Sequence, residues 1–367
     1  MAAVLVSVLA MGSTPVRAAE VVTYTLSPAS GAIVHGVTEL TFTDVSANVA
    51  EIAMYDKVLG TQLSRATGAP WTFSWDTVAQ QGVAFRVVDA DGRGIWVTRT
   101  YRVDNSGPGV SVDYGDSKIG VVPKGRNFVT LRTSDISPVS RVEFWIGGVQ
   151  QASGQSFFYD FGPKSTVVSG EFRAWDALGN ASRTPVTFWV DGDGPKLVSM
   201  TPASLALVRG TRIRSTVVAA DRSGVQWVTL DNGTGSIHKT PYTDSVAAGK
   251  DGPKVLTWRL VDDYTQTSTV RRTVIVDNTR PSLKVTKAPA NKAKVKGTVK
   301  VSVAANDRYG VARVELIVNG KVVARDTTAA YAFSVNTAKH GKTIKVAVRA
   351  YDRAGNATTT ATRTWRR

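Results

Sequence analysis

Four copies of one short phrase set the terms for anything this chain can fold into. Phe85-Arg86-Val87-Val88-Asp89 returns as Phe172-Arg173-Ala174-Trp175-Asp176, as Trp258-Arg259-Leu260-Val261-Asp262 and as Val348-Arg349-Ala350-Tyr351-Asp352, at steps of 87, 86 and 90 residues. A second marker keeps the same beat: Val103-Asp104-Asn105, Val190-Asp191-Gly192 and Val276-Asp277-Asn278 stand 87 and 86 apart. Solenoid units are shorter, ~20–50 residues, so a period of this length predicts a string of complete domains. From residue 20 onward the chain divides into four units, 20–107, 108–193, 194–281 and 282–367. Each is long enough to bury a modest core of its own. An apolar content of 43% with 20% charged residues excludes disorder by composition. There is no cysteine, so each core must hold its domain without disulfides.

The N-terminus reads as a targeting segment. Ala2 to Met11 is a short apolar run, and Val16-Arg17-Ala18 sets small or apolar residues before a cut near Ala18–Ala19. Residues 1–18 are therefore expected to be a signal peptide, although the basic residues that usually open one are missing. The run is shorter than the ~20 apolar residues that cross a bilayer, and no later segment is long and apolar enough to do so. The expectation is a secreted, extracellular protein, associated with the cell wall if anything retains it.

Within the units the periodicity is that of strands. Lys345-Val346-Ala347-Val348-Arg349-Ala350-Tyr351-Asp352 places Val346, Val348 and Ala350 on one face. Arg313-Val314-Glu315-Leu316-Ile317-Val318 does the same and runs into Asn319-Gly320, a dipeptide that favours a tight hairpin. Val142-Glu143-Phe144-Trp145-Ile146 followed by Gly147-Gly148 repeats the pattern in the second unit. Helical periodicity over ten or more residues is absent. About seven short strands per unit, with turn signals between them, predict an all-β chain of antiparallel two-sheet sandwiches in an elongated array.

Two further motifs carry a resemblance. Pro28-Ala29-Ser30-Gly31-Ala32-Ile33-Val34-His35-Gly36 matches Pro202-Ala203-Ser204-Leu205-Ala206-Leu207-Val208-Arg209-Gly210 and Pro289-Ala290-Asn291-Lys292-Ala293-Lys294-Val295-Lys296-Gly297. Later in the units come the loops Asp176-Ala177-Leu178-Gly179-Asn180 and Asp352-Arg353-Ala354-Gly355-Asn356. Together these resemble the bacterial immunoglobulin-like (Big-type) domains found in tandem on secreted and surface proteins, often appended to hydrolases. The resemblance implies four tandem immunoglobulin-like domains and is nearly silent on activity, because the fold hosts many roles. The second unit lacks the proline motif, and the third replaces the Gly-Asn loop with Asp262-Asp263-Tyr264-Thr265-Gln266.

No catalytic constellation is expected. The three histidines, His35, His238 and His340, lie in different units, and no nucleophile elbow, phosphate loop or His-Glu-x-x-His segment occurs. Three features can carry binding instead. The first is aspartates at the joins between units: Asp104 with Asp135 and Asp176; Asp191 and Asp193 with Asp221, Asp262 and Asp263; Asp277 with Asp307 and Asp352. Oxygens from three segments suit calcium, the one cofactor considered; the alternative is that each aspartate caps its own turn. The second is a face of Trp145, Trp175 and Trp189 beside Arg173, suited to stacking on sugar rings. Its alternative is a cross-strand ladder held by cation–π contact.

The third feature is charge. The net +16 is concentrated in residues 282–367, where 18 basic residues face 4 acidic ones. Lys284, Lys287, Lys292, Lys294, Lys296 and Lys300 crowd the first strands of that unit, and Arg366 and Arg367 end it. The expected partner is an anionic wall polysaccharide or other polyanion, by long-range attraction; the alternative is solubility alone. No nucleic acid is expected, since no aromatic residues interleave this cluster in a recognised motif. The sequence thus predicts a non-catalytic spacer or adhesion protein of the cell envelope. The alternatives are a carbohydrate-binding accessory module using the tryptophan face, or the tail of a larger secreted hydrolase.

Overall fold

The computed structural model describes residues 22–367, so the signal-peptide reading of residues 1–18 lies outside the described residues. Those residues form short strands and a single turn of 3-10 helix, Thr337–Lys339. Alternation makes them strands. In Arg126–Ser134, Val129 and Leu131 are buried while Thr130 and Arg132 face out. Thr298–Asn306 repeats this with Val301 and Val303 inside. An apolar residue at every second position can be buried together only on one face of an extended chain.

The chain divides into two units, Met1–Val190 and Asp191–Arg367. Each contains two separate cores. In the first unit, Leu40, Phe42, Ile52, Trp75 and Phe85 centre one core, and Phe144, Phe172 and Phe188 the other. In the second, Val217, Trp258 and Leu260 centre one, and Leu316, Ile344 and Trp365 the other. We number these sandwiches one to four along the chain.

Every core lies between two antiparallel sheets. In sandwich two, Gly109–Asp113, Arg126–Ser134 and Ser156–Asp160 make the smaller sheet. The larger runs Val121–Pro123, Ala181–Asp191, Thr166–Asp176, Val139–Ile146 and Val149–Ser153. Sandwich three repeats this order strand for strand, including a short edge strand, Leu207–Val208, that pairs in parallel with Thr267–Val276. Sandwich one keeps the equivalent parallel pair, Ile33–Val34 with Arg102–Val103, as a separate ribbon. In sandwich four the last strand is split, and both Ala357–Thr359 and Arg363–Arg366 pair with Thr343–Asp352.

The punctuation expected from sequence is realised. Asn319 and Gly320 have φ of 49° and 84°, and Gly147 and Gly148 have 56° and 82°, the two successive positive values a tight hairpin turn needs. In the proline motif the fourth residue is left-handed each time, at Gly31, Leu205 and Lys292 (φ 88°, 59° and 66°). One irregularity recurs that alternation does not announce. The register slips between Val49 and Glu51, Val139 and Arg141, Val225 and Trp227, and Val311 and Arg313. This bulge sets which side chains meet on the outer face of the larger sheet.

Candidate functional site

Three sets of three aspartates converge, each offering one oxygen within 4.8 Å of the other two: Asp104, Asp135 and Asp176; Asp191, Asp221 and Asp262; Asp277, Asp307 and Asp352. All are assembled alike. The first aspartate follows or ends a strand, the second stands in the turn after Arg126–Ser134, Arg212–Ala220 or Thr298–Asn306, and the third ends Thr166–Asp176, Gly252–Asp262 or Thr343–Asp352. In each set the first and third are buried and the second is half-buried. Asp193 and Asp263, grouped with the second set from sequence, are exposed and lie outside it.

The third aspartate does cap its own turn. Asp176 Oδ1 accepts from the amides of Leu178 and Asn180 (2.9 and 2.8 Å), Asp262 Oδ1 from Tyr264 and Gln266 (2.9 and 2.7 Å), and Asp352 Oδ1 from Asn356 (2.7 Å). The second oxygen is where the copies diverge. Asn180 Nδ2 donates both to Asp176 Oδ2 (2.8 Å) and to the carbonyl of Asp104 (2.9 Å). Asn356 Nδ2 does the same for Asp352 Oδ2 (2.9 Å) and the carbonyl of Asp277 (2.8 Å). In sandwich three Gln266 takes this place. One methylene longer, it reaches the carbonyl of Asp191 (2.8 Å), but Asp262 Oδ2 and its own Oε1 are left buried without a partner.

The first aspartate varies too. Ser137 donates its amide and hydroxyl to Asp104 Oδ2 (3.1 and 2.5 Å). Burial pushes that carboxyl up, but the donors of Ser137 and the Ser106 amide, with the Asp135 contact, together outweigh it and hold it below the usual range. Ser223 donates its amide to Asp191 Oδ2 (3.1 Å). In the last set Tyr309 stands where the serines stand, and Asp277 Oδ2 is buried with no partner. Burial, then the charges of Asp307 and Asp352, raise Asp277. In the middle set burial raises Asp262 to about 6; the Gln266 and Tyr264 amides pull it down, and the charges of Asp221 and Asp191 push it further up. Asp221 is likewise raised by burial and by its contact with Asp191.

On the outer face of the larger sheet of sandwich two, each of two tryptophans lies under a guanidinium. Arg141 sits 3.8 Å from the ring centroid of Trp175, and Arg173 sits 3.9 Å from that of Trp145. Glu143 accepts from Trp145 Nε1 (2.9 Å), and Glu171 from Arg173 Nε (2.6 Å). Trp189 is on the same face, opposite Val167, whereas Trp145 is opposite Glu171. The three indoles are therefore spaced four residues apart along Thr166–Asp176, about 13 Å per step. Sandwich four carries the same lattice with tyrosine: Arg313 lies 3.8 Å over Tyr351, and Glu315 is paired with Arg313, Arg325 and Arg349 at 2.9, 3.2 and 2.8 Å.

The six lysines singled out in sandwich four fall into two groups, all exposed. Lys284, Lys287 and Lys300 project from the outer face of the sheet formed by Ser282–Lys287, Thr298–Asn306 and Ala332–Asn336, opposite the inward Val285, Val301 and Val303. Lys292, Lys294 and Lys296 follow on the next segment, where Lys294 bridges in parallel to Arg366 beside Arg367. A surface groove between the groups is lined by Lys284, Asn291, Thr362 and Arg363.

The model of the bacterial Ig domain family matches residues 281–361. Among solved structures, the fibronectin(III)-like modules of Clostridium thermocellum CbhA align at 21% identity over 47% of this chain and 93% of that chain, with a TM-score of 0.37. The D1–D4 ectodomain fragment of ICAM-5 aligns at 12% identity over 93% and 97%, with a TM-score of 0.28. No curated protein matches the chain in sequence. No helix among the described residues is long and apolar enough to cross a membrane. By strand order and by its paired sheets the chain is a series of tandem immunoglobulin-like antiparallel β-sandwiches, the last of which matches the bacterial Ig domain.

Proposed function

We propose that this chain is an extracellular, non-catalytic string of spacer domains, tethered to the cell envelope by sandwich four, which binds anionic wall polymers. The observation that carries the reading is the excess of 18 basic over 4 acidic residues in 282–367. Six of those lysines are exposed on and beside one sheet. Packing does not require such a concentration, and sandwich one balances 6 basic residues against 9 acidic ones. A polymer with one negative charge per repeat meets this surface as a set of simultaneous weak contacts, and binding then rests on released counterions. The match to the bacterial Ig domain supports a surface location. Purified wall sacculi with and without their anionic polymers test the proposal. The full chain should be retained by the first and wash through the second, and equal retention would count against it.

The tryptophan face of sandwich two supports a second reading, as a glycan-binding surface. A polar groove lined by Arg141, Glu143, Gln150 and Gln155 runs beside the Arg141–Trp175 stack, giving hydrogen-bonding groups next to a flat ring. Trp145→Ala together with Trp175→Ala should release the chain from insoluble neutral polysaccharide. Unchanged retention would assign the tryptophans to the lattice alone.

A further inference from the structure

We propose that two of the three aspartate sets, Asp191–Asp221–Asp262 and Asp277–Asp307–Asp352, are sites for a hard divalent cation of the calcium class, and that the Asp104 set is not. Three carboxylate oxygens within 4.8 Å of one another can be shared by one calcium ion, whose oxygens, held at about 2.3–2.6 Å, stand up to about 5 Å apart. Magnesium demands a near-regular octahedron and gives up its waters reluctantly, which suits three carboxylates on separate segments less well.

Each of the two sets also holds a fully buried carboxylate oxygen that nothing in the protein satisfies: Asp262 Oδ2, on a residue 0% exposed, and Asp277 Oδ2, on a residue 1% exposed. In both residues the other oxygen is committed, Asp262 Oδ1 to its turn and Asp277 Oδ1 to the amide of Thr279 (3.2 Å). Oδ2 is thus the atom left to face its two carboxylate neighbours. A buried acceptor without a donor is costly, and a buried negative charge among like charges more so. One cation relieves both at once.

The two orphans arise differently, and each can be traced to one substitution between copies. Gln266 in place of asparagine withdraws a donor from Asp262, and leaves a further unpartnered oxygen, Gln266 Oε1, in the same loop. Tyr309 in place of serine removes the hydroxyl donor, and its amide is given to Asp307 Oδ1 (2.8 Å) rather than to Asp277. In the Asp104 set both deep carboxylates keep their donors: Ser137 saturates Asp104 Oδ2 and Asn180 saturates Asp176 Oδ2, and the unpartnered oxygen there, Asp135 Oδ2, belongs to the half-buried turn residue. The same scaffold satisfies both of its deep aspartates with protein donors in one copy and leaves a deep oxygen open in each of the other two. With three carboxylates and water completing the sphere, affinity should fall in the 10⁻⁴–10⁻³ M class of extracellular modules.

The test is thermal unfolding of the full chain at pH 7.5 in 10 mM calcium chloride, in 10 mM magnesium chloride and in chelator, at matched ionic strength. At about ten times Kd, calcium should raise the transition of the bearing sandwiches by roughly 4–8 °C, and magnesium by much less. Asp221→Asn with Asp307→Asn should abolish that rise, because asparagine keeps the acceptor for the amides of Ser223 and Tyr309 but loses the charge. Asp135→Asn should leave the rise intact. A wild-type chain whose transitions ignore calcium but climb on acidification to pH 5 would show that protons relieve the clusters instead, and the proposal fails. It fails equally if the rise survives the double substitution or is lost with Asp135→Asn.

Discussion

Replacing Asp262 by asparagine should stabilise sandwich three at neutral pH when no divalent cation is present. Asp262 ionises at about 6 in the folded chain against 3.8 as the reference value. Its folded pKa is raised, so below 3.8 both states are protonated and nothing is lost. Between 3.8 and about 6 the unfolded state ionises first, and stability falls as pH rises. Above about 6 the whole penalty is in place. Taken at full value that displacement is about 3 kcal/mol. The Asp221 side of the cluster is half-exposed, so solvent and salt screening reduce it to ~1–2 kcal/mol. Asparagine keeps Oδ1 for the amides of Tyr264 and Gln266 and turns a charge into a donor for Asp191 or Asp221. Hydrogen exchange in Gly252–Asp262 and Thr267–Val276 reports this sandwich alone, as protection corrected for intrinsic rate. In chelator the wild type should lose about ten-fold protection between pH 5 and 7.5, and Asp262→Asn should lose little. A variant less protected than the wild type at pH 7.5 would refute the assignment of the penalty to this carboxylate.

Other perturbations read other parts of the structure. Thr265 holds φ of 64°, where the equivalent residues are Gly92, Gly179 and Gly355, so Thr265→Gly should stabilise sandwich three by about 1 kcal/mol in denaturant unfolding; a loss would show that the threonine is not strained. Glu315 is buried beneath three guanidinium groups, and although burial pushes its carboxyl up, the Arg349 and Arg313 bonds outweigh that and hold it below the usual range. Glu315→Gln should therefore cost sandwich four about 1–3 kcal/mol at pH 7, and the wild type should lose that advantage as pH drops below 4.5; a change under ~0.5 kcal/mol would make the pair network ornamental. Trp145→Ala removes both the ring beneath Arg173 and the donor to Glu143, and a fall of about 1–2 kcal/mol in the stability of sandwich two is expected from thermal unfolding.

How much of this the chain announces follows from the range of the interactions. Two-residue alternation and Asn319-Gly320 or Gly147-Gly148 turns are local, so strands and hairpins are legible one segment at a time. The aspartate sets are legible once the fold places the turns, because the repeat carries the same residues to the same corner. What escapes depends on reach. That the Gln266 side chain satisfies a carbonyl but not Asp262 Oδ2 follows from one methylene, and Asp277 Oδ2 lacks a donor where Tyr309 stands in place of the serine of the other copies. Both signals lie in the aligned repeats, four residues after the aspartate and two after the turn. The Arg141–Trp175 stack is hidden for another reason: the bulge between Val139 and Arg141 shifts the register, and alternation cannot place a bulge. The lysines read as one run but divide between a sheet face and a neighbouring segment, since a turn at Lys292 separates them.

The salt dependence of polymer binding by the full chain decides whether sandwich four tethers by charge. Affinity for a purified anionic wall polymer is measured from 50 to 400 mM salt, for the wild type and for a chain with Lys284, Lys287, Lys292, Lys294, Lys296 and Lys300 changed to glutamine. The wild type should show a steep linear fall of log affinity with log salt if charge carries the tether. The variant should bind at least ten-fold more weakly at low salt, with a shallower slope. Equal affinity and equal slope in the two chains would contradict it.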